Sequence, residues 1–339
     1  MKLQQIKCKH LNRTQDIFVS PSYIIACTGR RAIILNRQYQ LLHTIEKLDY
    51  VYDGEVSPDE KKLLLVSTGN KFYVVDLETY EMERVTVRSP YNEGIEGRGC
   101  WSFDGKSIFI LAMSSKTMNS VLRQYFVDNL KEYKEYFPDE FYLNDLQKMY
   151  CYNKYMLIRY NRKNKKNYFI TFDGKSMEEI LIEKSKNMSI FRSDFDEVTG
   201  NFTICSGECC WKYTPEGKMI EKIEHPSPKT KKISFSDTFN GIFGEGSDEA
   251  KMMKKVSFAL GLEDIECEDH INKYGTSKCG KYDFFATGSG FYVVDSQTKE
   301  VLAEVLVDNG FDNFEQLESD VVAVASPYNG VKLYRILEG

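Results

Sequence analysis

The feature that most constrains this chain is one fourteen-residue pattern that occurs twice, 219 residues apart. Thr68-Gly69-Asn70-Lys71-Phe72-Tyr73-Val74-Val75-Asp76-Leu77-Glu78-Thr79-Tyr80-Glu81 and Thr287-Gly288-Ser289-Gly290-Phe291-Tyr292-Val293-Val294-Asp295-Ser296-Gln297-Thr298-Lys299-Glu300 both obey T-G-x-x-F-Y-V-V-D-x-x-T-x-E. Gly offers the turn a positive φ, Phe-Tyr-Val-Val suits a buried pleated surface, and Asp with Thr opens a second turn. The same small unit of antiparallel sheet is therefore used at least twice.

Weaker copies follow from this template. Cys27-Thr28-Gly29 precedes Ala32-Ile33-Ile34-Leu35, and Cys205-Ser206-Gly207 precedes Cys210-Trp211-Lys212-Tyr213. The strands before these turns set a register: Ile24-Ile25, Leu63 to Val66, Ile108 to Leu111, Tyr155 to Ile158, Phe202 to Cys205, Ile242-Phe243, Phe284-Phe285 and Val321 to Val324. Their starts lie on the order of 40 residues apart, the period of a four-stranded propeller blade. The spacing predicts an all-β, closed β-propeller forming a single domain over 1–339. Eight blades fit the 219-residue interval best. Seven is the count if residues 229–268 are an insertion, for Gly241-Ile242-Phe243-Gly244 is short and Ser247 to Lys255 has the composition of a helical turn.

Closure is also legible. The last repeat ends at Ile336 without an outer strand, while Leu3 to His10 is a spare strand at the other end. Pairing the two would complete the last blade and remove exposed sheet edges.

Val56-Ser57-Pro58-Asp59-Glu60-Lys61-Lys62-Leu63 and Trp101-Ser102-Phe103-Asp104-Gly105-Lys106-Ser107-Ile108 share S-x-D-[EG]-K-x-[LI]. In these turns the chain resembles the WD40-like and YVTN-type propeller superfamily, although the Gly-His and Trp-Asp dipeptides of true WD40 repeats are absent. The resemblance implies the fold. Its YVTN-like branch includes sugar lactonases and cofactor-dependent dehydrogenases, but none of their active-site motifs is present to carry over.

Composition narrows the function classes. Forty-five basic against fifty acidic side chains give a formal net charge of −5, which argues against a general nucleic-acid or anionic-membrane surface. No window approaches the roughly 18 uninterrupted apolar residues of a membrane helix, and the first ten residues lack the apolar run of a signal peptide. Nine cysteines scattered through strand-like segments suit a reducing compartment, so a cytoplasmic location is expected. Cys205, Cys209 and Cys210 lack zinc-site spacing and have no nearby His, so they are assigned to strand packing and no metal is expected. The basic hairpin tip around Arg162 reads as a solvated turn in preference to a phosphate contact. No nucleophile elbow, metalloprotease motif, phosphate-binding loop or dinucleotide fingerprint is present, so no cofactor is expected.

A propeller usually binds through the loops leading into its innermost strands and the turns that follow its second strands. Those segments supply Tyr52 and Asp53, Tyr91, Arg98 and Trp101, Asp145, Arg192, His270, Asp312 and Phe314, and Tyr328. Aromatic and Arg side chains of this kind are typical interface anchors. Trp101 admits two readings, packing between the second and third blades or anchoring a partner. Of the four histidines only His270 lies on that face. The sequence therefore reads as a non-catalytic scaffold for a protein or peptide partner. The alternative is a small-molecule enzyme, such as a lactonase-like hydrolase, with a polar site in the channel.

Overall fold

Each repeat is built from turns whose hydrogen bonds are written in the sequence. Between the first two strands of the second repeat, the Ser57 hydroxyl donates to Asp59 at 2.7 Å, while the Lys61 and Lys62 amides donate to Asp59 and Ser57. Ser102 and Asp104 repeat this turn, and Ser277 makes it with Cys279 where the others hold Asp. Between the third and fourth strands, Asp76 accepts the Glu78 and Thr79 amides, and Asp295 accepts those of Gln297 and Thr298. These hydrogen bonds hold both carboxyls below the usual carboxylate range.

The computed structural model describes residues 1–11, 14, 16–67, 70–87, 95–113, 120–136, 142–161, 163–186, 188, 190, 192–206, 209–227, 230–233, 251–252 and 265–338. It contains seven four-stranded antiparallel blades arranged as a ring. The innermost strands of blades I to VII are Asp16–Val19, Val51–Val56, Ile95–Trp101, Tyr142–Met149, Arg192–Asp196, Ile271–Thr276 and Asn313–Gln316. Second and third strands are covered by neighbouring blades on both faces, which is why Leu63 to Val66 and Phe72 to Val75 run apolar without alternation. Leu64, Val66 and Phe72 of blade II, for example, share one buried cluster with Trp101, Ile108 and Ile110 of blade III.

Blade VII closes across the two ends of the sequence. Lys2–Ile6 pairs antiparallel with Gly330–Leu337, from Lys2 opposite Leu337 to Ile6 opposite Leu333.

The expectation of eight blades is corrected to seven. Thr230–Ile233 and Ile265–Glu268 pair with one another as a separate two-stranded sheet between blades V and VI, so 229–268 is the insertion. Its length mimics one repeat, which turned four blade intervals into an apparent five. Ile242-Phe243, counted as a second strand, lies outside the described residues.

Two smaller expectations also change. Gly288 is not held at positive φ; a Cβ there would lie 2.6 Å from Asp269 Oδ1, so close approach is what demands glycine. Cys205 and Cys210, expected as unlinked packing residues, face each other across the second and third strands of blade V and form a disulfide.

Candidate functional site

An innermost strand has a sheet neighbour on one side only, so its other edge presents backbone groups to the channel. In two places the blade before it supplies the missing partners. Asp53 and Glu55 of blade II accept the Gly99 and Trp101 amides of blade III at 3.1 and 2.7 Å. Asp145 and Gln147 of blade IV accept the Ser193 and Phe195 amides of blade V at 3.0 and 2.8 Å. The acceptors sit two residues apart because alternate side chains of a strand point the same way. Bulges at Val51/Asp53, Asn144/Leu146 and Ile271/Lys273 aim the side chains that follow them, and Asp145 itself takes φ of 60°.

Charged groups fill the space these edges enclose, a cavity of about 670 Å³ bordered by all seven innermost strands. The Arg98 Nε lies 3.4 Å from Asp145. Arg192 donates to Asp194 at 2.9 Å and reaches Asn313 at 3.2 Å and the Asp312 carbonyl at 3.3 Å. Lys273 donates to Asn313, Glu315 and the Phe314 carbonyl within 3.0 Å. Asn313 in turn donates to Asp16 at 2.9 Å. Toward the opposite end, Glu55 accepts Lys148 at 2.7 Å and the Tyr150 hydroxyl at 3.1 Å.

These surroundings sort the carboxyls. Burial raises Asp53 to about 7, against the pull of Arg98 and the Gly99 amide and with the help of the Asp16 charge. Asp16 is also raised, again mainly by burial. For Asp194, burial is outweighed by Arg192, Lys273 and Arg98, and its carboxyl stays below the usual range. Burial lifts the Cys100 thiol well above its ordinary value, which keeps it a protonated packing group and not a nucleophile.

The face at the start of the innermost strands carries the channel mouth. Tyr50 and Tyr328 are 43% and 49% exposed, among the more open large side chains of that face. The Tyr50 phenol is raised first by partial burial and then by Asp16, Tyr328 and Asp312. Asn272 donates to Asp312 Oδ1 at 3.3 Å, fixing that carboxylate at the rim.

Among the residues expected on the binding face, Asp53, Arg98, Asp145 and Arg192 line the channel, Asp312 and Tyr328 lie at the mouth, and His270 is exposed on a loop of the same face. Two are corrected. Trp101 is fully buried between blades II and III, its indole N–H donating to the Glu55 carbonyl at 2.9 Å, so the packing reading stands and the anchor reading falls. Phe314 is 6% exposed and packs against Phe284 and Phe291 in a cluster between blades VI and VII. Tyr91 and Arg162 lie outside the described residues, as does the side chain of Tyr52. Sequence reasoning missed Asp16, Glu55, Lys148, Asp194, Lys273 and Asn313. For Glu55, Asp194 and Asn313 the available signal was the i, i+2 spacing from Asp53, Arg192 and Glu315; Asp16, Lys148 and Lys273 have no charged residue two positions away.

A second polar cluster sits away from the channel. His225 Nε2 lies 2.9 Å from Asp269 Oδ2, both groups being buried. Thr287 and Ser289 also donate to Asp269 Oδ2. The carboxylate stands between Ser289 and His225, so the serine has no base beside it and the arrangement is not that of an acyl-transfer triad. Asp49 with Tyr73 occupies the corresponding place in blade II, at 2.7 Å. In blade VI the cluster ties the segment before the innermost strand to the turn between the second and third strands. No group of three or more His, Cys, Asp or Glu among the described residues is placed to hold a metal ion.

A search of solved structures then fixes the comparison. The chain superposes on the C-terminal WD40 domain of Sif2 with a TM-score of 0.59 at 10% identity, covering 96% of this chain and 82% of that one. The fold is that of a WD40-like propeller. Neither a family model nor any curated protein matches the sequence. At this identity the WD40-like likeness extends to the fold and to no particular residue. No helix among the described residues is long and apolar enough to cross a membrane.

Proposed function

We propose that this WD40-like propeller is a non-catalytic platform for a protein or peptide partner, docked on the face that carries Tyr50, Asp312 and Tyr328. The observation that carries this reading is the pair of half-exposed tyrosines at the rim of a channel whose polar groups are largely engaged with one another. Exposed aromatic rings bury much area at little entropic cost when a partner covers them. WD40-like propellers typically act as interaction scaffolds, which supports the same reading.

The test is capture from host lysate by the wild-type protein beside a Tyr50→Ala, Tyr328→Ala variant with an unchanged melting temperature. A partner retained by the first and released by the second supports the platform. Equal retention places the docking surface elsewhere and removes the argument.

One observation favours a lactonase-like hydrolase instead: Asp53 titrates near neutrality inside a polar cavity, as a general base would. On that reading Asp53→Asn abolishes hydrolysis of a lactone panel. On the platform reading no hydrolysis is seen with either protein.

A further inference from the structure

At five junctions of the channel's upper level a donor on one blade meets an acceptor on the next, while at the junction of blades I and II two carboxyls, Asp16 and Asp53, line the same cavity. Between blades II and III, Asp53 receives the Gly99 amide. Between III and IV, Arg98 faces Asp145, and between IV and V, Asp145 receives the Ser193 amide and hydroxyl. Between VI and VII, Lys273 donates to Asn313, and between VII and I, Asn313 donates to Asp16. Between I and II, Asp16 and Asp53, both acceptors, line the same cavity, and the Asp16 charge opposes ionisation of Asp53. Among the described residues neither carboxylate has a cationic group within ion-pair distance.

The aromatic rim is on the face where the innermost strands begin: Tyr50 immediately precedes the innermost strand of blade II that carries Asp53, and Tyr328 is in the turn after the second strand of blade VII, the blade whose Asn313 reaches Asp16. A group that satisfied the junction from this face would have to donate hydrogen bonds, carry positive charge and pass exposed ring faces. Guanidinium and ammonium groups do all three, since they donate to carboxylates and are attracted to aromatic faces. Anions are disfavoured at the same place by Asp16, Asp53 and Asp312.

We propose that the Asp16–Asp53 junction, approached from the face of Tyr50 and Tyr328, is a subsite for an arginine or lysine side chain that the docked partner inserts into the channel mouth. The inference rests on the platform reading and names the chemistry of its partner. Arg98, the cation nearest Asp53, is engaged with Asp145, while Arg192 and Lys273 are held by Asp194, Asn313 and Glu315, so the incoming cation completes the ring without displacing them.

Binding then depends on pH in a defined direction. Asp53 is mostly protonated below about 7 and ionised above it, and only the ionised form pairs fully with a cation. The groups facing it are Asp16 from blade I and Arg98 from blade III, with Asp145, Arg192 and Asp194 further round the channel. Asp53 passes from mostly ionised at pH 8 to mostly protonated at pH 6, so affinity falls about tenfold on acidification across that interval.

The experiment is selection of a random peptide library on the full-length wild-type protein at pH 8, with counter-selection on an Asp16→Asn, Asp53→Asn variant. Neutral amides replace buried charges here, so this variant is expected to melt at or above the wild-type temperature, which is checked first. The expected result is peptides that share one Arg or Lys, bind the variant at least about tenfold more weakly, and lose about tenfold in affinity at pH 6. Replacing that residue with Gln in a selected peptide should reproduce the loss. Free butylguanidine and butylamine form a separate arm: competition by either at millimolar concentration locates the subsite without peptide context. Selected peptides without a common basic residue, peptides that bind wild type and variant equally, or no enriched peptide at all would each overturn the subsite. A lysate partner lost with Tyr50→Ala, Tyr328→Ala but kept by the Asp16→Asn, Asp53→Asn variant would overturn it while leaving the platform standing.

Discussion

Trp101→Ala is the substitution whose effect the structure specifies most fully. The ring is wholly buried against Leu64, Val66, Ile108 and Ile110, and its N–H is the donor to the Glu55 carbonyl. Truncating a buried aromatic to alanine costs about 3–5 kcal/mol through lost transfer energy and the cavity left behind. The Glu55 carbonyl loses a buried donor, which adds about 1 kcal/mol. Against a typical total stability of about 5–15 kcal/mol, the variant should be folded but severely weakened. Trp101→Phe keeps most of the apolar volume and should lose about half as much or less. Urea unfolding followed by far-ultraviolet circular dichroism measures the difference, with the slope checked for equality between variants. Trp101 also supplies a fluorescence reporter, because Trp211 is the only other tryptophan and is half-exposed. A loss below about 1 kcal/mol for Trp101→Ala would refute the packing assignment and return Trp101 to the list of surface anchors.

Two further predictions concern closure and charge. Removing residues 1–11 takes away the outer strand of blade VII and uncovers Tyr334 and Ile336, so the melting temperature should fall sharply in a fluorimetric thermal scan; an unchanged value would mean that the ring closes without that strand. For Asp53 the folded-state pKa is raised, so the native state favours the protonated carboxyl, and stability is lost as pH rises from the unfolded value near 4 to about 7. Asp53→Asn should therefore raise the unfolding free energy from urea titration more at pH 8 than at pH 5, by on the order of 2–3 kcal/mol; equal gains at both pH values would show that the carboxyl is not perturbed.

The legible part of the site was its position, and the illegible part was its wiring. Asp53, Arg98, Asp145 and Arg192 were found because they fall where loops lead into innermost strands. Trp101 and Phe314 fall there as well, and no local property separates an aromatic that packs between blades from one left on the rim. That distinction depends on the neighbouring blade, about 45 residues away along the chain for Trp101 and Glu55. Asp16 and Asn313 meet across nearly 300 residues, at the seam where the ring closes, and no spacing rule reaches that far.

What the sequence determined by itself was everything set by local hydrogen bonding and periodicity. The Ser-x-Asp and Asp-x-x-Thr turns, the apolar runs between them, and the unpaired strands at the two ends dictate four-stranded blades and their closure, because each is satisfied within one repeat or by the only strand left over. Tertiary structure decided the number of blades, the disulfide between Cys205 and Cys210, and the ring of charges in the channel. A 40-residue insertion has the same length as a blade, and only strand pairing shows that its described ends, Thr230–Ile233 and Ile265–Glu268, form a sheet of their own. Channel charges acquire partners from adjacent blades, so their pairing, and the junction where two carboxyls line one cavity, exists only once the circle is complete.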